Sequence, residues 1–114
     1  MRTEAVNYIL TTYSATMFGD RASIHQMVVS AEVAKGLIGP ATQIVATRAS
    51  HENLAKLVFG QDMRVTRFAD MVPEKSAILV HYRGAPIGDD GVPPEGSTVT
   101  FYLVESEEYQ EPED

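Results

Sequence analysis

The segment that most limits how this chain can fold is Thr42–Thr47, with the sequence TQIVAT. It is short, almost wholly apolar and rich in β-branched residues, which is typical of a strand with both faces covered. A strand of this kind needs neighbours in a sheet and packed material on each side of that sheet. We therefore expect Thr42–Thr47 to be a central strand.

Other segments carry weaker strand signals, in which β-branched and aromatic residues are bounded by turn residues. They are Asn7–Tyr13, Ser23–Val29, Met63–Phe68, Ser76–Arg83 and Thr98–Val104. Because the polar, proline-containing stretch DMVPEK joins Met63–Phe68 to Ser76–Arg83, we expect these two strands to pair as a hairpin. The stretch Gly84–Ser97 contains Gly, Pro and Asp throughout, and it is expected to be a long loop of the kind that often carries function.

Two helices are predicted between these strands. Ser30 is expected to cap the first helix, which an apolar stripe supports and which Gly39-Pro40 ends. Ser50 is expected to cap the second helix, HENLAKLVF, which ends at Gly60. His51 therefore falls in the first turn of the second helix.

The resulting order of elements is β-β-α-β-α-β-β-β. This order predicts an α/β or α+β domain with a mixed sheet of five to six strands flanked by helices. With 114 residues, of which 44% are hydrophobic, the chain has material for one modest core. We expect residues 7–105 to form a single domain and residues 106–114 to be a disordered acidic tail.

Charge and composition exclude several classes of function. The net charge is −7, but the last ten residues carry six acids and no base, so the rest of the chain is nearly neutral. No stripe of Lys and Arg is available to neutralise many phosphates, which argues against duplex DNA as a partner and leaves a ligand with few phosphates as a possibility.

The chain has no cysteine, which excludes thiol catalysis and fits a reducing cytosol. No apolar run approaches the roughly 20 residues of a membrane span and no signal peptide is evident, so we expect a soluble protein without a membrane partner.

His51 is the most informative single residue for function. A helix N-terminus presents unpaired N–H groups and a partial positive charge, which attract phosphate and disfavour a protonated imidazole. A histidine in that position is available for proton transfer near neutral pH. The alternative is an exposed first-turn histidine without a role.

Two arginines are candidates for holding a phosphate. Arg67 and Arg83 lie at or near predicted strand ends, where a guanidinium can contact a phosphate through two hydrogen bonds. Arg64 and Arg67 are three residues apart, so on a regular strand they face opposite sides and cannot both serve one site. The alternative for each arginine is pairing with acids at the surface.

The remaining titratable residues are weaker candidates. His25 and His81 have no second ligand at a metal-binding spacing, so we expect neither to bind metal, and the chain as a whole to use no metal or cofactor. Asp89, Asp90 and Glu95 lie in the long loop, where they would serve as acids or bases or only increase solubility.

Several short motifs together resemble one family. They are YILTTYSATMF, SHENLAKLVFG, GQDMRVTRF, ILVHYR and TVTFYLVE, which lie within residues 7–105. This arrangement is similar to that of the small viral anti-CRISPR ring nucleases. The resemblance implies a homodimer that binds cyclic tetra-adenylate, a second messenger of type III CRISPR defence, and cleaves it without metal in the host cytoplasm.

The resemblance also implies roles for individual residues. In the family, the ribose 2′-hydroxyl attacks the adjacent phosphate and a histidine, matched here by His51, protonates the departing 5′ oxygen. Arg83 matches the arginine that holds the scissile phosphate, and Arg67 matches a second arginine. Ser14 and Thr11 match positions that contact the ligand, and Asn53 is expected to join them.

The chain also departs from the family pattern. Ser50 replaces the glycine before the histidine, and Thr66 replaces an asparagine. The glutamate expected shortly after Arg83 is absent, and Glu95 or Asp90 would have to replace it from the loop.

Three functions follow from these observations. The first is a viral ring nuclease that degrades a cyclic oligonucleotide and so blocks CRISPR signalling. The second is a sponge that binds the messenger without cutting it. The third is a small dimeric interaction protein whose acidic tail contacts a basic partner.

Overall fold

A six-stranded mixed sheet with two helices forms the centre of the computed structural model, which describes residues 5–11, 22–67 and 76–108. The elements in chain order are β1 (Val6–Leu10), β2 (Ala22–Val29), α1 (Ala31–Gly36), β3 (Ile38–Val45), α2 (Ala49–Phe59), β4 (Val65–Thr66), β5 (Ser76–Arg83) and β6 (Thr98–Glu108). The strands lie in the order β2-β6-β5-β1-β3-β4. The prediction of a single α+β domain with a mixed sheet is therefore confirmed.

The four strands β5, β1, β3 and β4 run parallel to one another. β6 pairs antiparallel with β5, and β2 pairs antiparallel with β6. Parallel pairing brings the carboxyl ends of β1, β3, β4 and β5 to the same end of the sheet. We call this the carboxyl end of the sheet, and it comprises Thr11, residues 46–48, Arg67 and Arg83.

The predicted hairpin between Met63–Phe68 and Ser76–Arg83 is wrong. β4 has only two residues and pairs with β3, whereas β5 pairs with β1 and β6. The physical reason is that β5 is buried on both faces in its first half, and a strand of that kind is stabilised by neighbours on both sides. β1 and β3 consequently lie between the two strands that were expected to pair.

The core has two layers, one on each face of the sheet. On the face covered by the helices, Ile9, Ile44 and Ile78 pack with Leu54 and Ala55 of α2. The opposite face holds a second buried cluster, whose members are Leu10, Val45, Ala77 and Val104. Because Ile44 and Val45 are buried on opposite faces, the prediction that Thr42–Thr47 is covered on both sides is confirmed.

Of the predicted helix ends, the cap of α1 is confirmed, whereas the end of α1 and the cap of α2 are wrong. Ser30 caps α1 as expected, since its Oγ accepts a hydrogen bond of 3.1 Å from the Val33 N–H. α1 ends at Gly36, and Gly39-Pro40 lies in β3 instead of ending the helix. Ser50 does not cap α2, because the helix already begins at Ala49 with Arg48 in the cap position.

The last strand is longer than expected. β6 continues to Glu108, three residues into the segment that was expected to be a disordered tail, because main-chain pairing with β2 extends to Ala22 opposite Glu108. A ladder of main-chain hydrogen bonds does not depend on the acidic side chains of that segment. Residues 109–114 lie outside the described residues.

A bulge at the start of β3 is held by one buried side chain. Between the pairs Val6–Ile38 and Tyr8–Gln43, the register along β1 and β3 shifts. Thr42, which is only 4% exposed, donates its hydroxyl to the Val6 carbonyl at 2.6 Å and accepts the Gly39 N–H at 2.9 Å. One hydroxyl thus satisfies two main-chain groups that the irregular pairing leaves without partners.

We expect Thr42→Val to lower the free energy of unfolding by about 1–3 kcal/mol, because a shape-matched side chain would leave a buried carbonyl and an N–H unsatisfied. The measurement is the denaturant midpoint at constant slope. Thr47→Val is the matched control, since Thr47 is exposed. Equal midpoints for the two variants would contradict this role of Thr42.

Candidate functional site

The residues expected to act on a ligand lie mostly at the carboxyl end of the sheet. Thr11 follows β1, His51 lies in the helix that follows β3, and Arg67 follows β4. Arg83 is the last residue of β5. Ligands of open sheets with parallel strands commonly bind outside the carboxyl ends of those strands. Ser14, which was predicted to contact the ligand, lies outside the described residues.

A cavity of about 350 Å³ opens at this end of the sheet. It is lined by Thr11, His51, Leu54, Leu79, Val80, His81 and Tyr82. Beside the cavity, β1 and β5 end at different levels: Leu10, the last residue of β1, is level with Leu79, whereas β5 continues to Arg83. Among the described residues, the last four residues of β5 pair with β6 alone.

Thr11 contributes an acceptor to the cavity. Its hydroxyl donates to the Val45 carbonyl at 2.8 Å, and its main-chain N–H bonds the same oxygen at 3.0 Å. The hydroxyl proton thus takes part in a hydrogen bond within the protein, and the lone pairs of the oxygen can accept a hydrogen bond from a ligand.

His51 is held in the first turn of α2, facing β5. Its ring centroid lies 6.4 Å from that of Tyr82, with the two planes tilted by 57°. Burial of the imidazole, followed by the positive charge of Arg48, lowers the pKa of His51 below its usual value of 6.5. His51 is therefore mostly neutral at pH 7, and when it is protonated it is a stronger acid than a free histidine.

The N-terminus of α2 lacks a side-chain cap. Arg48, in the cap position, has an extended backbone and makes no capping hydrogen bond, because a guanidinium has no acceptor. The Arg48 carbonyl accepts the Glu52 N–H, as in an ordinary helix start. The N–H groups of the first turn accordingly donate no hydrogen bond to the side chain in the cap position, which is cationic.

Arg67 is anchored to the start of α2. Its Nη1 lies 2.6 Å from Glu52 Oε1 and donates to the Ala46 carbonyl at 3.2 Å. Glu52 also receives a hydrogen bond of 3.0 Å from Lys56. That bond, followed by the contacts with Arg67, lowers the pKa of Glu52 despite its burial. Part of the charge of Arg67 is thus neutralised, although its side chain remains 60% exposed.

Asn53 holds the long loop in place and does not line the cavity. Its Nδ2 donates to the Asp89 carbonyl at 2.9 Å. Gly91 packs so closely against the same turn of α2 that an added Cβ would lie 2.6 Å from the carbonyl carbon and oxygen of Asn53. With Ile87 buried in the helix-side core, these contacts fix the loop against α2.

The loop acids that were expected to replace a catalytic glutamate lie away from the cavity. Asp90 Oδ1 accepts the Val92 N–H at 3.0 Å, which closes a local turn. Glu95 is exposed beside Gly96. Neither residue is among those that line the cavity.

Arg83 and His51 lie on opposite faces of β5. The pairing of β5 with β6 is regular throughout, so side chains of β5 alternate between the faces. Tyr82 packs on the helix side, where it contacts His51. Arg83 therefore projects from the other face, where it is exposed.

A larger cavity of about 610 Å³ lies at the opposite end of β3. It is lined by residues 38–43 and 60–64 and includes Arg64 but no histidine. Arg64 and Arg67 therefore flank the short β4 and lie at different sites. We take the smaller cavity as the candidate site, because it contains His51 at the start of α2.

Three residues with polar side chains at the site were not predicted from the sequence: Arg48, His81 and Tyr82. Arg48 was missed because the helix was expected to begin two residues later, at His51. His81 was considered only as a metal ligand and Tyr82 only as a residue of a strand, and their place in a cavity depends on the pairing of β5 with β1. In the sequence, the only sign that Arg48 belongs to the site is its position three residues before His51.

Comparison with known proteins identifies no relative of this chain. The chain matches no family model, no curated protein and no solved structure. Within residues 5–11, 22–67 and 76–108 there is no group of three or more side chains that could hold a metal ion. In the same ranges no helix is long and apolar enough to cross a membrane.

Replacing Gly91 should loosen the loop from α2. Gly91 has a φ of 75° and Gly96 a φ of 86°, so alanine is strained at either position, but only at Gly91 does the new Cβ meet other atoms. We expect Gly91→Ala to destabilise the protein by about 1–3 kcal/mol more than Gly96→Ala, the cost of overpacking. Equal denaturant midpoints for the two variants would show that the loop does not rest on Asn53.

The lowered pKa of His51 predicts a pH-dependent stability. Because the folded pKa lies below the unfolded value of about 6.5, the unfolded chain binds more protons in the window between them, and stability falls as the pH drops through that window. Relative to His51→Gln, the wild-type melting temperature should decline between about pH 7.5 and 5.5. A constant difference across this range would contradict the burial of His51.

Proposed function

We propose that this protein binds a cyclic oligoadenylate, with cyclic tetra-adenylate as the first choice, and cleaves it by metal-independent transesterification. The observation that carries the proposal is the position of His51, half-buried in a cavity at the uncapped N-terminus of α2. A site of this kind combines a proton-transfer group with donors for a phosphate. Together with the motif resemblance, it supports an anti-defence protein that acts in the host cytoplasm.

The charges near the site support an anionic ligand. Although the chain has a net charge of −7, Arg48, Arg67 and Arg83 lie at the carboxyl end of the sheet, and none of the described residues that line the cavity is a carboxylate. Glu52 neutralises part of the charge of Arg67, which leaves Arg48 and Arg83 as the more available cations. Cations in such places stabilise the charge that develops on a phosphate during its cleavage.

The proposed reaction needs few groups from the protein. A ribose 2′ hydroxyl gives its proton to solvent water while its oxygen forms a bond to the adjacent phosphorus. The bond from phosphorus to the 5′ oxygen breaks, and the protonated form of His51 gives a proton to that oxygen and later regains one from solvent. The products carry a 2′,3′-cyclic phosphate and a 5′ hydroxyl. Most of the rate would come from holding the ribose in line with the leaving oxygen and from stabilising charge.

The size of the cavity favours a dimer. At about 350 Å³ it lies at the lower end of the range for small-molecule sites, roughly 300–1,000 Å³, whereas a ring of four nucleotides is far larger than a typical small ligand. A ring would therefore contact two copies of the chain, with equivalent units in the two cavities. This agrees with the homodimer that the resemblance implies.

We expect His51→Ala to lower turnover by about 10²–10⁴-fold, the usual contribution of a general acid or base, with ligand binding largely kept. The assay is incubation with cyclic tetra-adenylate in EDTA, followed by chromatography of the nucleotides. His25→Ala is the matched control, because His25 is exposed on β2, away from the cavity. Full turnover by His51→Ala would remove His51 from the mechanism.

Sequestration without cleavage is the second candidate function. It is favoured by the position of Asp90 and Glu95 outside the cavity lining, since neither replaces the glutamate that the resemblance expects. Intact ring that is released only on heating would identify this sponge. In either function, a ligand at a hundredfold over its dissociation constant adds about 2.7 kcal/mol to stability, so the absence of a thermal shift with cyclic tetra-adenylate would argue against both functions for that ligand.

A further inference from the structure

Most of the side chains that line the candidate cavity lie on the helix side of the sheet. In β1, Ile9 belongs to the cluster on the helix side and Leu10 to the cluster on the other face. Thr11 continues the pairing of β1 with β3 through its main-chain N–H, so the alternation of side chains extends to it and places it on the face of Ile9. There it joins the other helix-side residues that line the cavity, which are His51, Leu54, Val80 and Tyr82.

The walls of the cavity are mainly apolar. Leu54 and Val80 are buried members of the helix-side core, and the ring of Tyr82 packs against that core. Neither Arg48 nor Arg83 lines the cavity, and none of its described lining residues is a lysine or an arginine. A phosphate between such walls would lose its hydration without gaining a permanent cation, which is costly. The cavity therefore suits an uncharged part of a ligand, whose phosphates would stay outside it.

Thr11 offers this uncharged group a hydrogen bond in one direction only. Its hydroxyl donates to the Val45 carbonyl at 2.8 Å, so its oxygen accepts from a ligand. The Tyr82 hydroxyl is used at the long loop, where it donates to the Ala85 carbonyl. A ligand group that meets the Thr11 oxygen must therefore be a donor, because turning the hydroxyl towards the ligand would break its bond to Val45.

Nucleobases differ in the group that they would present to this oxygen. Adenine and cytosine carry an exocyclic amine, which donates, whereas guanine and uracil carry a carbonyl oxygen at the equivalent ring position. A carbonyl opposite the Thr11 oxygen would place two acceptors against each other. Sites that are built to hydrogen-bond one group of a ligand discriminate strongly against analogues that lack it. The arrangement therefore favours a base with an amino group.

We propose that the cavity holds one adenine base of the ligand and that Thr11 selects it, by accepting a hydrogen bond from the 6-amino group. This inference rests on the proposed function and names the part of the ring that enters the cavity. A cavity of about 350 Å³ has room for one such base and not for the whole ring. The base packs against Leu54, Val80 and Tyr82, and its phosphate lies outside these walls, towards the first turn of α2.

The experiment offers the protein an equimolar mixture of cyclic tetra-adenylate and the same ring built from purine riboside, which lacks only the 6-amino group. After incubation in EDTA the protein is removed by filtration, and chromatography measures how much of each ring is left. A ring that is cleaved and a ring that is held are both lost from the mixture, so either form of the proposed function can be read. The ratio of the two losses does not depend on the amount of folded protein.

We expect the wild-type protein to prefer cyclic tetra-adenylate by about tenfold, the effect of one hydrogen bond. Thr11→Ser keeps the hydroxyl and should keep this preference. Thr11→Val and Thr11→Ala lose the acceptor and should take the two rings equally, while the Val45 carbonyl keeps the main-chain N–H of residue 11 at 3.0 Å. Thr47→Val, the same change at an exposed residue outside the cavity, is the matched control and should keep the preference.

Three results would overturn the inference, and they are distinguishable. A preference that Thr11→Val and Thr11→Ala retain would show that another group selects the base. Equal losses of the two rings with the wild-type protein would show that the 6-amino group is not recognised, while the proposed function stands. If the wild-type protein removes neither ring from the mixture, the proposed function is excluded for this ligand together with the inference.

Discussion

The parallel pairing of β1 with both β3 and β5 is the constraint on which the rest of the structure depends. It directs the carboxyl ends of three strands to the same end of the sheet, where Thr11, the start of α2 and the end of β5 lie. β1 ends at Leu10, level with Leu79 of β5, and the cavity lies beside the residues of β5 that follow. The candidate site therefore depends on the pairing of these strands as much as on the side chains that surround it.

The fold class and one side of the site could be predicted from sequence, whereas the strand pairing could not. The apolar pattern of Thr42–Thr47 predicted burial on both faces because each residue reports its own surroundings, and Ile44 and Val45 confirm it. The hairpin prediction failed because a short connection between two strands says nothing about stronger partners elsewhere in the chain. His51 was identified from local helix signals, but the cavity around it depends on β5, and no local pattern reports that neighbour.

Two residues that were predicted to contact the ligand form contacts with other residues of the protein. Arg67 is tied to Glu52 and the Ala46 carbonyl, and Asn53 is tied to the loop at Asp89. Both contacts brace the first turns of α2, one towards β4 and the other towards the loop. Bracing of this kind keeps His51 in a defined place, which the proposed reaction requires because its rate would come mainly from alignment. These residues would then support the site without contacting the ligand.

The long separation between paired strands also has a consequence for how the protein is made. Leu10 pairs with Leu79, and the cavity draws on residues near 11, 51 and 80. During synthesis none of the early segments can form this site alone, because its wall on the β5 side is translated last. Before contacts of such long range can stabilise the protein, the chain must lose the entropy of closing large loops. This requirement slows folding relative to a helical protein of this size. The nascent chain therefore carries its histidine, but gains a binding cavity only when most of the domain has emerged.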